Sequence, residues 1–305
     1  MQKIPMRALT AVRSAYLRSP EDAITARVTG TLLEALRHRG LPPIPDFALP
    51  DEPELRFVTA DSLVLQRLFW FGRRGWEPEV SGWWRHFCRE AQEVLELGAN
   101  VGYHTVRGGL ALADGARLVA VEPHPGSAAI LRANVSLNGL DDRVEVVEAA
   151  ASAGGEPEVE LFVPVVDHWA TPAGAFVGAG EVDRSHGRGI TVRSVAVNSL
   201  YRCPDLMKLD VEGGEAALLE ALGERLSVDR PTIFVEVLDD TPLLRKVLRR
   251  LVAEAGYDCY IPRRDGRLVL LPPGALGDAR LEHDAGTRDV IVTCAKNLPE
   301  RPDED

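Results

Sequence analysis

One segment constrains the fold of this chain more than any other: an apolar run that ends in a glycine turn and leads at once into a helical pattern. It reads Glu93-Val-Leu-Glu-Leu-Gly-Ala-Asn-Val-Gly102. A glycine at the end of a strand, and another where the next helix begins, let the backbone approach a ligand without a clash from a Cβ atom. The G-x-x-x-G spacing departs from the dinucleotide-binding pattern, because Asn100 occupies the position of its second glycine. The segment therefore predicts a nucleotide-type pocket that is not built to cradle a pyrophosphate.

From Glu93 onward, strand patterns alternate with helical ones. Apolar strand-like runs begin at Glu93, Arg117, Arg143, Leu206 and Thr232, and helical patterns separate several of them. Such alternation predicts a parallel sheet with helices on both faces. Three short strand-like runs close to the end, the last over residues 288–295, have little helix between them and predict an antiparallel edge. We expect an α/β, doubly wound, Rossmann-like sheet of seven strands with the last one antiparallel.

The predicted organisation is an N-terminal helical or cap segment over residues 1–90, a main domain over 91–297 and a polar tail over 298–305. Residues 23–39 carry apolar side chains at helical spacing. About 55 residues separate the third and fourth strands, far more than a crossover helix needs. Two β-like runs and a glycine-rich loop at 171–189 fill this gap. We expect a β insertion at about 155–200 whose loop lies over the site.

The net charge and the cysteine content indicate which classes of partner and which cellular compartment suit this chain. The net charge of −11 disfavours nucleic acid as a substrate, since a polyanion is repelled. The four cysteines are widely spaced and form no C-x-x-C pair, which is typical of free thiols in a reducing cytoplasm. No apolar run approaches the length of a membrane span, and no secretory pattern is present. We expect a cytoplasmic protein with a small-molecule partner, with no nucleic acid or membrane partner, and leave a homodimer open.

Glu122 is the second signal for a nucleotide-type ligand. It ends the next strand, 24 positions after Gly98. A carboxylate at that place can accept both ribose hydroxyls of an adenosine. Glu96, at the end of the first strand, suits a cationic cofactor that bears an amino acid. Each feature alone also fits an ordinary strand-turn-helix unit with a surface glutamate, but their order and spacing together favour a binding site.

Four motifs resemble the FkbM family of methyltransferases: Glu96-Leu-Gly-Ala-Asn-Val-Gly-Tyr103, Val121-Glu-Pro123, Leu131-Arg-Ala-Asn-Val-Ser-Leu-Asn138 and Met207-Lys-Leu-Asp-Val-Glu-Gly-Gly-Glu215. The resemblance covers about residues 76–237. It implies a class I methyltransferase sheet, S-adenosylmethionine as cofactor and O-methylation of a hydroxyl on a natural product or sugar. Family members often carry Asp where this chain has Glu96, and Leu-Asp where it has Val197-Asn198. The predicted cofactor-binding set is Glu77, Glu96, Gly98, Asn100, Gly102, Tyr103, Glu122, Pro123 and Ala150.

Methyl transfer to a hydroxyl requires alignment of the two reactants and removal of the hydroxyl proton by a base or a metal. Asp210 and Glu212 follow the fourth strand, at the carboxyl edge where α/β sheets bind ligands. We predict both as catalytic, together with His168 in the insertion. Strand alternation places Lys208 on the side of Asp210, where it can hold a carboxylate.

Other interpretations of these residues stay open at this point. Asp210 and Glu212 also fit a role in stabilising the dipole of the helix that follows, and a loop histidine such as His168 is often merely solvated. The carboxylates after the fourth strand could hold Mg²⁺ through oxygen ligands, but no ligand spacing is diagnostic, so a metal is not favoured. Most of the aromatic residues at positions 69, 70, 76, 83 and 84 fit a hydrophobic core better than an acceptor pocket.

Three competing functions remain. A nicotinamide-dependent oxidoreductase is disfavoured by the altered glycine pattern. A nucleic-acid methyltransferase is disfavoured by the acidic charge and by the absence of an N-P-P-Y-type motif. A non-catalytic scaffold would have no need for both Glu122 and the acidic run that begins at Asp210.

Overall fold

A computed structural model describes residues 6–19, 24, 28–31, 44–164, 175–177, 187–238, 241–272, 274–276, 287–296 and 298–302. The N-terminal elements are α1 (Met6–Arg18), β1 (Phe47–Ala48), β2 (Arg56–Phe57), α2 (Leu63–Phe71), a 3₁₀ turn (Gly72–Gly75) and α3 (Pro78–Glu90). The first half of the main domain contains β3 (Glu93–Leu97), α4 (Tyr103–Ala111), β4 (Arg117–Glu122), α5 (Pro125–Leu137), β5 (Val144–Glu148), β6 (Ala150–Ser152), β7 (Glu158–Pro164), β8 (Phe176–Val177) and β9 (Gly187–Ala196). The second half contains α6 (Val197–Leu200), β10 (Leu206–Leu209), α7 (Glu215–Leu222), α8 (Glu224–Asp229), β11 (Thr232–Glu236), α9 (Pro242–Ala255), β12 (Asp258–Pro262), β13 (Leu268–Leu270) and β14 (Asp289–Thr293).

The central sheet has the order β13-β12-β14-β11-β10-β3-β4-β5. Strands β5, β4, β3, β10 and β11 run parallel, and β14 is antiparallel to both β11 and β12. This confirms the predicted doubly wound α/β architecture with an antiparallel last strand. The eighth strand, β13, extends the sheet by pairing with the edge of β12.

The strand order reverses at β3, which positions the site. Strand β4 pairs with one side of β3 and β10 with the other, so that Val121 and Leu209 are both register partners of Leu97. The residues that follow these three strands therefore lie at the same edge of the sheet. Ligands of open α/β sheets bind in the crevice at such a switch point, outside the carboxyl ends of the strands.

Apolar side chains pack against both faces of the sheet. Val94 and Leu95 alternate between the two buried clusters, as neighbouring residues of a strand must. The first cluster contains most of the aromatic side chains of α2 and α3, including Trp70, Trp83 and Trp84, all at most 1% exposed. These tryptophans are core, as predicted.

The N-terminal elements share that first cluster with the main domain. Leu9 of α1 and Phe57 of β2 belong to the same buried group as Val94 of β3 and Phe234 of β11. Within the predicted helix at 23–39, the structure describes Ile24 and residues 28–31, which are helical, and Ile24 is 79% exposed. Among the described residues, none of the helices combines the length and apolar character needed to cross a bilayer.

A second sheet has the order β6-β9-β7-β8; three of its strands lie within residues 155–200, where the insertion is predicted, and β6 precedes them. Strands β7 and β9 form its antiparallel centre, paired from Glu158↔Arg193 to Pro164↔Gly187. Of the glycine-rich loop at 171–189, only residues 175–177 and 187–189 are described. Most of the predicted lid and the predicted catalytic residue His168 lie outside the described residues, and both stay predictions.

Candidate active site

A cleft of about 700 Å³ opens at the carboxyl ends of the parallel strands. It brings together ten of the predicted site residues: Glu77, Glu96, Gly98, Asn100, Tyr103, Glu122, Pro123, Ala150, Asp210 and Glu212. Gly102 does not belong to its lining. The sequence placed these residues in five separate segments, and the switch point of the sheet gathers them into one pocket of ordinary size for a small-molecule site.

The two glycines of the turn are required for packing, in addition to the role predicted for them. Gly98 has φ +87°, and a Cβ on it would lie 1.8 Å from the carbonyl oxygen of Asp210. Gly102 has φ +88°, and a Cβ on it would lie 2.4 Å from Leu131 Cδ1 on α5. Packing thus requires both glycines, and their predicted part in the approach of a ligand stays a prediction. Gly98 lets β3 and β10 end in contact, and Gly102 lets α5 pack against the turn.

Glu122 ends β4 with both carboxylate oxygens anchored on the backbone. The amide of Asn100 donates to Oε2 and that of His124 donates to Oε1, each at 2.8 Å. The side chain is only 6% exposed, and burial raises its pKa to about 7 although the two amides act in the opposite direction. Each oxygen has a second lone pair, so the carboxylate can accept two further hydroxyl donors from the cleft.

Glu96 lies in the floor of the same cleft and is 1% exposed. The Thr105 hydroxyl on α4 donates to its Oε2 at 2.7 Å. Burial raises the pKa of Glu96 to about 7, against the opposing effects of Thr105 and Lys208. A carboxylate held so far from water interacts strongly with any cation that enters the cleft.

A buried ion-pair cluster connects β10 with the loop before α3. Lys208 Nζ lies 2.6 Å from Asp210 Oδ2 and 3.7 Å from Glu77 Oε2. Glu77 Oε2 also lies 2.8 Å from His104 Nε2. Burial alone would lower the pKa of Lys208, but the carboxylates of Asp210 and Glu77 hold it well above its ordinary value. Lys208 is therefore a fixed cation that orients Asp210, on the side predicted from strand alternation.

Asp210, Glu212 and Glu236 form a triangle of carboxylates in which oxygen atoms lie within 4.8 Å of one another. Glu236 is the last residue of β11. Burial and the neighbouring carboxylates raise the pKa of Glu212 to about 7 and that of Glu236 to about 9. Three carboxylates at this spacing could share protons or bind a hard cation such as Mg²⁺ through their oxygen atoms.

Glu215 has a structural role that sequence reasoning did not separate from its acidic neighbours. Its Oε1 accepts hydrogen bonds from the amides of Val211 at 3.0 Å and Gly213 at 3.1 Å. These bonds close the loop in which Glu212 adopts φ +57°. Glu215 thereby fixes the loop that presents Glu212 to the cleft.

Several cleft residues escaped sequence reasoning. His104 on α4 is the partner of Glu77. Asp289 begins β14, opposite Glu236 in register, and the Thr287 hydroxyl donates to it at 3.0 Å. Burial raises the pKa of Asp289 to about 7. No local pattern marks Asp289, because only the antiparallel pairing of β14 with β11 brings it to this edge.

Comparison with known families gives one match over more than half of the chain. The family model described as the Methyltransferase FkbM domain matches residues 96–259. This range begins at the end of β3 and contains β4 and β10, with the motifs that follow all three strands. The match to a methyltransferase family gives no support to the nicotinamide oxidoreductase alternative.

Two curated relatives match a shorter part. The chain is 43% identical over 84 residues to Catechol O-methyltransferase B of Danio rerio, which is 26% of this chain and 32% of that protein. It is 40% identical over 83 residues to the Catechol O-methyltransferase of Sus scrofa, which is 25% of this chain and 44% of that protein. The chain thus spans less than half the length of either relative.

Solved structures resemble the chain more distantly. An O-methyltransferase from Bacillus cereus in complex with SAH is 16% identical with a TM-score of 0.40, covering 71% of this chain and 80% of that one. A methyltransferase FkbM from Methylobacillus flagellatus is 14% identical with a TM-score of 0.40, covering 67% and 44%. Likenesses at these scores say nothing about the acceptor.

Proposed function

Because the chain belongs to the FkbM methyltransferase family, we propose that it transfers a methyl group from S-adenosylmethionine to a hydroxyl of a small-molecule acceptor. The observation that carries this proposal is that one cleft holds both Glu122 and the Lys208–Asp210 pair. The first suits the ribose of the cofactor, and the second suits an acceptor hydroxyl. The size of the cleft supports a cofactor and a small acceptor together.

The residues present fit this cofactor. Glu122 has both oxygens fixed by backbone amides and retains acceptor capacity for two ribose hydroxyls. Glu96 and Glu77 place negative charge where a cationic ligand is stabilised. When bound, S-adenosylmethionine supplies a methyl group on a sulfonium, an electrophile that needs no further activation by the protein.

The acceptor hydroxyl has to be oriented and deprotonated by the chain's own side chains. Asp210, held by Lys208, accepts the hydrogen bond of the hydroxyl and orients its oxygen. The single hydroxyl proton passes through Asp210 to Glu212, which lies in the same triangle and whose pKa of about 7 lets it be ionised before transfer and protonated after it. Glu236 is close enough to share that proton. His168 remains a predicted third participant.

We do not propose a metal for this step. The triangle of Asp210, Glu212 and Glu236 offers oxygen ligands that Mg²⁺ accepts, and a bound ion would lower the pKa of the hydroxyl. Asp210 is already bound by the Lys208 ammonium at 2.6 Å, and a second cation at the same carboxylate would be repelled. The proton-sharing role therefore agrees better with the charges present.

The setting proposed for this reaction is the reducing cytoplasm, with a natural product or sugar as the acceptor class. The reducing setting is supported by the state of the cysteines: all four are free thiols, and Cys88 and Cys259 are buried. Burial raises the pKa of both thiols, which makes them inert packing residues and not nucleophiles.

Thermal denaturation with S-adenosylhomocysteine tests the proposal. A ligand of the native state raises the melting temperature by mass action. At a concentration 100 times its Kd, it adds about 2.7 kcal/mol to the free energy of unfolding. We expect a clear shift in the wild type, most of which Glu122→Ala removes. Glu148→Ala is the matched control, because Glu148 ends the neighbouring strand in register with Glu122 but lies outside the cleft lining. A wild type without any shift at millimolar S-adenosylhomocysteine would rule out the proposed function. Transfer of label from S-adenosylmethionine to catechol is the corresponding activity measurement.

A further inference from the structure

Four side chains form a continuous series of contacts at the wall of the cleft. His104 Nε2 lies 2.8 Å from Glu77 Oε2, and the same oxygen lies 3.7 Å from Lys208 Nζ. Lys208 in turn donates to Asp210 Oδ2 at 2.6 Å. All four residues line the cleft. The proposed transfer takes place at the Asp210 end of this series, and the other end lies behind it.

The Glu77 carboxylate serves this series and not the helix that it precedes. Glu77 is the residue before α3, but within the described part of the chain its side chain makes no capping bond to that helix. Its backbone has φ +39° and ψ +54°, in the left-handed region that glycine and asparagine adopt at lower cost. Neither helix capping nor backbone conformation therefore explains a glutamate at this position, whereas its contacts with His104 and Lys208 do.

Lys208 is held between two carboxylates. Burial alone would raise the pKa of Glu77, but the charge of Lys208 and the hydrogen bond from His104 lower it to about 2. Glu77 is therefore ionised at neutral pH and is a permanent counter-ion for the ammonium. A lysine side chain is a flexible stem that ends in a point charge, so a second carboxylate restricts its position more than Asp210 alone does.

His104 fixes the orientation of the Glu77 carboxylate. Its side chain is 6% exposed, and no described residue makes a hydrogen bond to its Nδ1. An imidazolium would leave a buried N–H without an acceptor at that atom, and burial lowers the pKa of His104 although Glu77 acts in the opposite direction. The ring is therefore neutral and donates from Nε2 to Glu77. It adds a hydrogen bond to the carboxylate without adding a second positive charge beside Lys208.

Asp289 is a third carboxylate that acts on Lys208. It attracts the ammonium more weakly than the other two carboxylates do, and it lies on β14, which β11 separates from β10 in the sheet. Without the charge of Glu77, the ammonium would be drawn toward Asp289 and would bind Asp210 from a different direction. Since Asp210 is proposed to orient the acceptor hydroxyl, such a shift would misalign the acceptor with the methyl group.

We infer that Glu77 and His104 are positioning residues for methyl transfer: they hold the Lys208 ammonium, and through it the carboxylate that orients the acceptor hydroxyl. This inference rests on the proposed methyltransferase function and adds two residues to its machinery. Glu77 belongs to the N-terminal segment, so that segment contributes to the reaction and not only to the core. A misplacement of about 1 Å can cost about 10² in rate, and the effect should therefore appear in kcat and hardly in KM.

The ammonium of Lys208 can be observed directly by NMR, because the chain has only four lysines. With lysine labelled with ¹⁵N at Nζ, the resonance that disappears in Lys208→Arg is that of Lys208. We expect Glu77→Gln to shift this resonance and to speed the exchange of the ammonium protons with water, since one of the two counter-ions is lost. His104→Phe should also shift it, because the ring is kept and the donor to Glu77 is lost. This measurement needs no acceptor.

Turnover measures the consequence for the reaction. For label transfer from S-adenosylmethionine to catechol, E77Q should lower kcat by up to about 10². The KM for catechol and the S-adenosylhomocysteine melting shift should stay near those of the wild type. H104F should lower kcat as well, and His104→Gln should restore most of it, because a glutamine amide nitrogen reaches about the place of Nε2. Glu90→Gln is the control, since Glu90 is exposed at the other end of α3 and lies outside the cleft lining.

The inference is overturned if the Lys208 resonance is the same in E77Q, H104F and the wild type. It is equally overturned if kcat is unchanged in both variants, if H104Q loses as much as H104F, or if E77Q loses the melting shift, which would make Glu77 a cofactor ligand. Should E77Q not fold, the two histidine variants decide; should catechol not be methylated, the resonance decides. A wild type without a melting shift shows instead that the proposed methyltransferase function fails.

Discussion

Lys208 of β10 donates a hydrogen bond of 2.6 Å to Asp210, the residue that directly follows this strand. The lysine side chain is 3% exposed and the aspartate side chain 23%, so a buried cation holds a carboxylate at the wall of the cleft. A residue that served only the dipole of the following helix would not need such a partner. The pair therefore favours a role for Asp210 in orienting the acceptor.

Asp210→Asn should reduce turnover by about 10² or more, the usual scale for loss of a general base or its hydrogen bond. The change preserves volume, so affinity for S-adenosylhomocysteine should persist. Steady-state rates with labelled S-adenosylmethionine and melting temperatures with S-adenosylhomocysteine measure the two properties.

A dipole variant is the control for this prediction. Glu224→Gln removes an exposed carboxylate from the first turn of α8 and should cost about 0.3–1 kcal/mol without loss of turnover. An Asp210→Asn enzyme that behaves like this control would remove Asp210 from the catalytic set. The base would then be sought in Glu212 or Glu236, and treatment with a chelator would test whether their triangle holds a metal.

The charge of Glu96 should affect the stability of the free protein as a function of pH. Its folded-state pKa of about 7 lies above the ordinary value because the side chain is buried. Between about pH 4.5 and 7 the folded state keeps a proton that the unfolded state loses, so Glu96 makes stability fall as pH rises through this window. Glu96→Gln cannot ionise and should flatten the pH profile of the melting temperature, gaining relative to wild type at pH 8 compared with pH 5.

The matched variant for that experiment is Glu254→Gln, exposed on α9. It should leave the pH profile of the wild type unchanged. A difference between Glu96→Gln and wild type that is the same at pH 5 and pH 8 would show that Glu96 does not titrate in this window.

Removal of Glu52 should destabilise the fold strongly. Its carboxylate lies 2.6 Å from Arg107 on α4, with side-chain exposures of 9% and 2%, so the pair joins the N-terminal segment to the main domain away from water. Removing one partner of a buried pair leaves an uncompensated charge and costs about 3–5 kcal/mol. Urea denaturation of Glu52→Ala measures this loss.

A surface pair gives the comparison for Glu52. Glu148 and Arg132 form an ion pair of 2.7 Å that is roughly 40% exposed on both sides, and such pairs contribute about 0–1 kcal/mol. If Glu52→Ala lost no more stability than Glu148→Ala, the buried pair would not hold the N-terminal segment to the main domain.

Gly98→Ala should prevent correct folding or cost more than about 3 kcal/mol, because its Cβ would lie 1.8 Å from a backbone oxygen that cannot move away without breaking the sheet. Gly115→Ala has a similar φ of +85° but meets nothing within 4 Å, so only the backbone strain of about 1–2 kcal/mol applies. Soluble yield and urea midpoints compare the two variants. Equal losses would mean that strain alone, and not contact with Asp210, requires the glycine.

Local patterns in the sequence were enough to determine the class of fold and one half of the site. Strand and helix periods depend on residues two to four positions apart, so the alternation from Glu93 onward is readable without tertiary information. Because every parallel strand ends at the same edge, Glu122 and Asp210 could be placed there from their positions after apolar runs. The side of Lys208 followed from strand alternation in the same way.

The other half of the site was determined only by the tertiary structure. Asp289 reaches the site through pairing of β14 with β11, and Glu52 contacts Arg107 across 55 positions of the chain. The reason that Gly98 must be glycine likewise lies on another strand. Such contacts depend on which elements pack together, a result of burying the whole core at once, and no short-range period in the sequence records them.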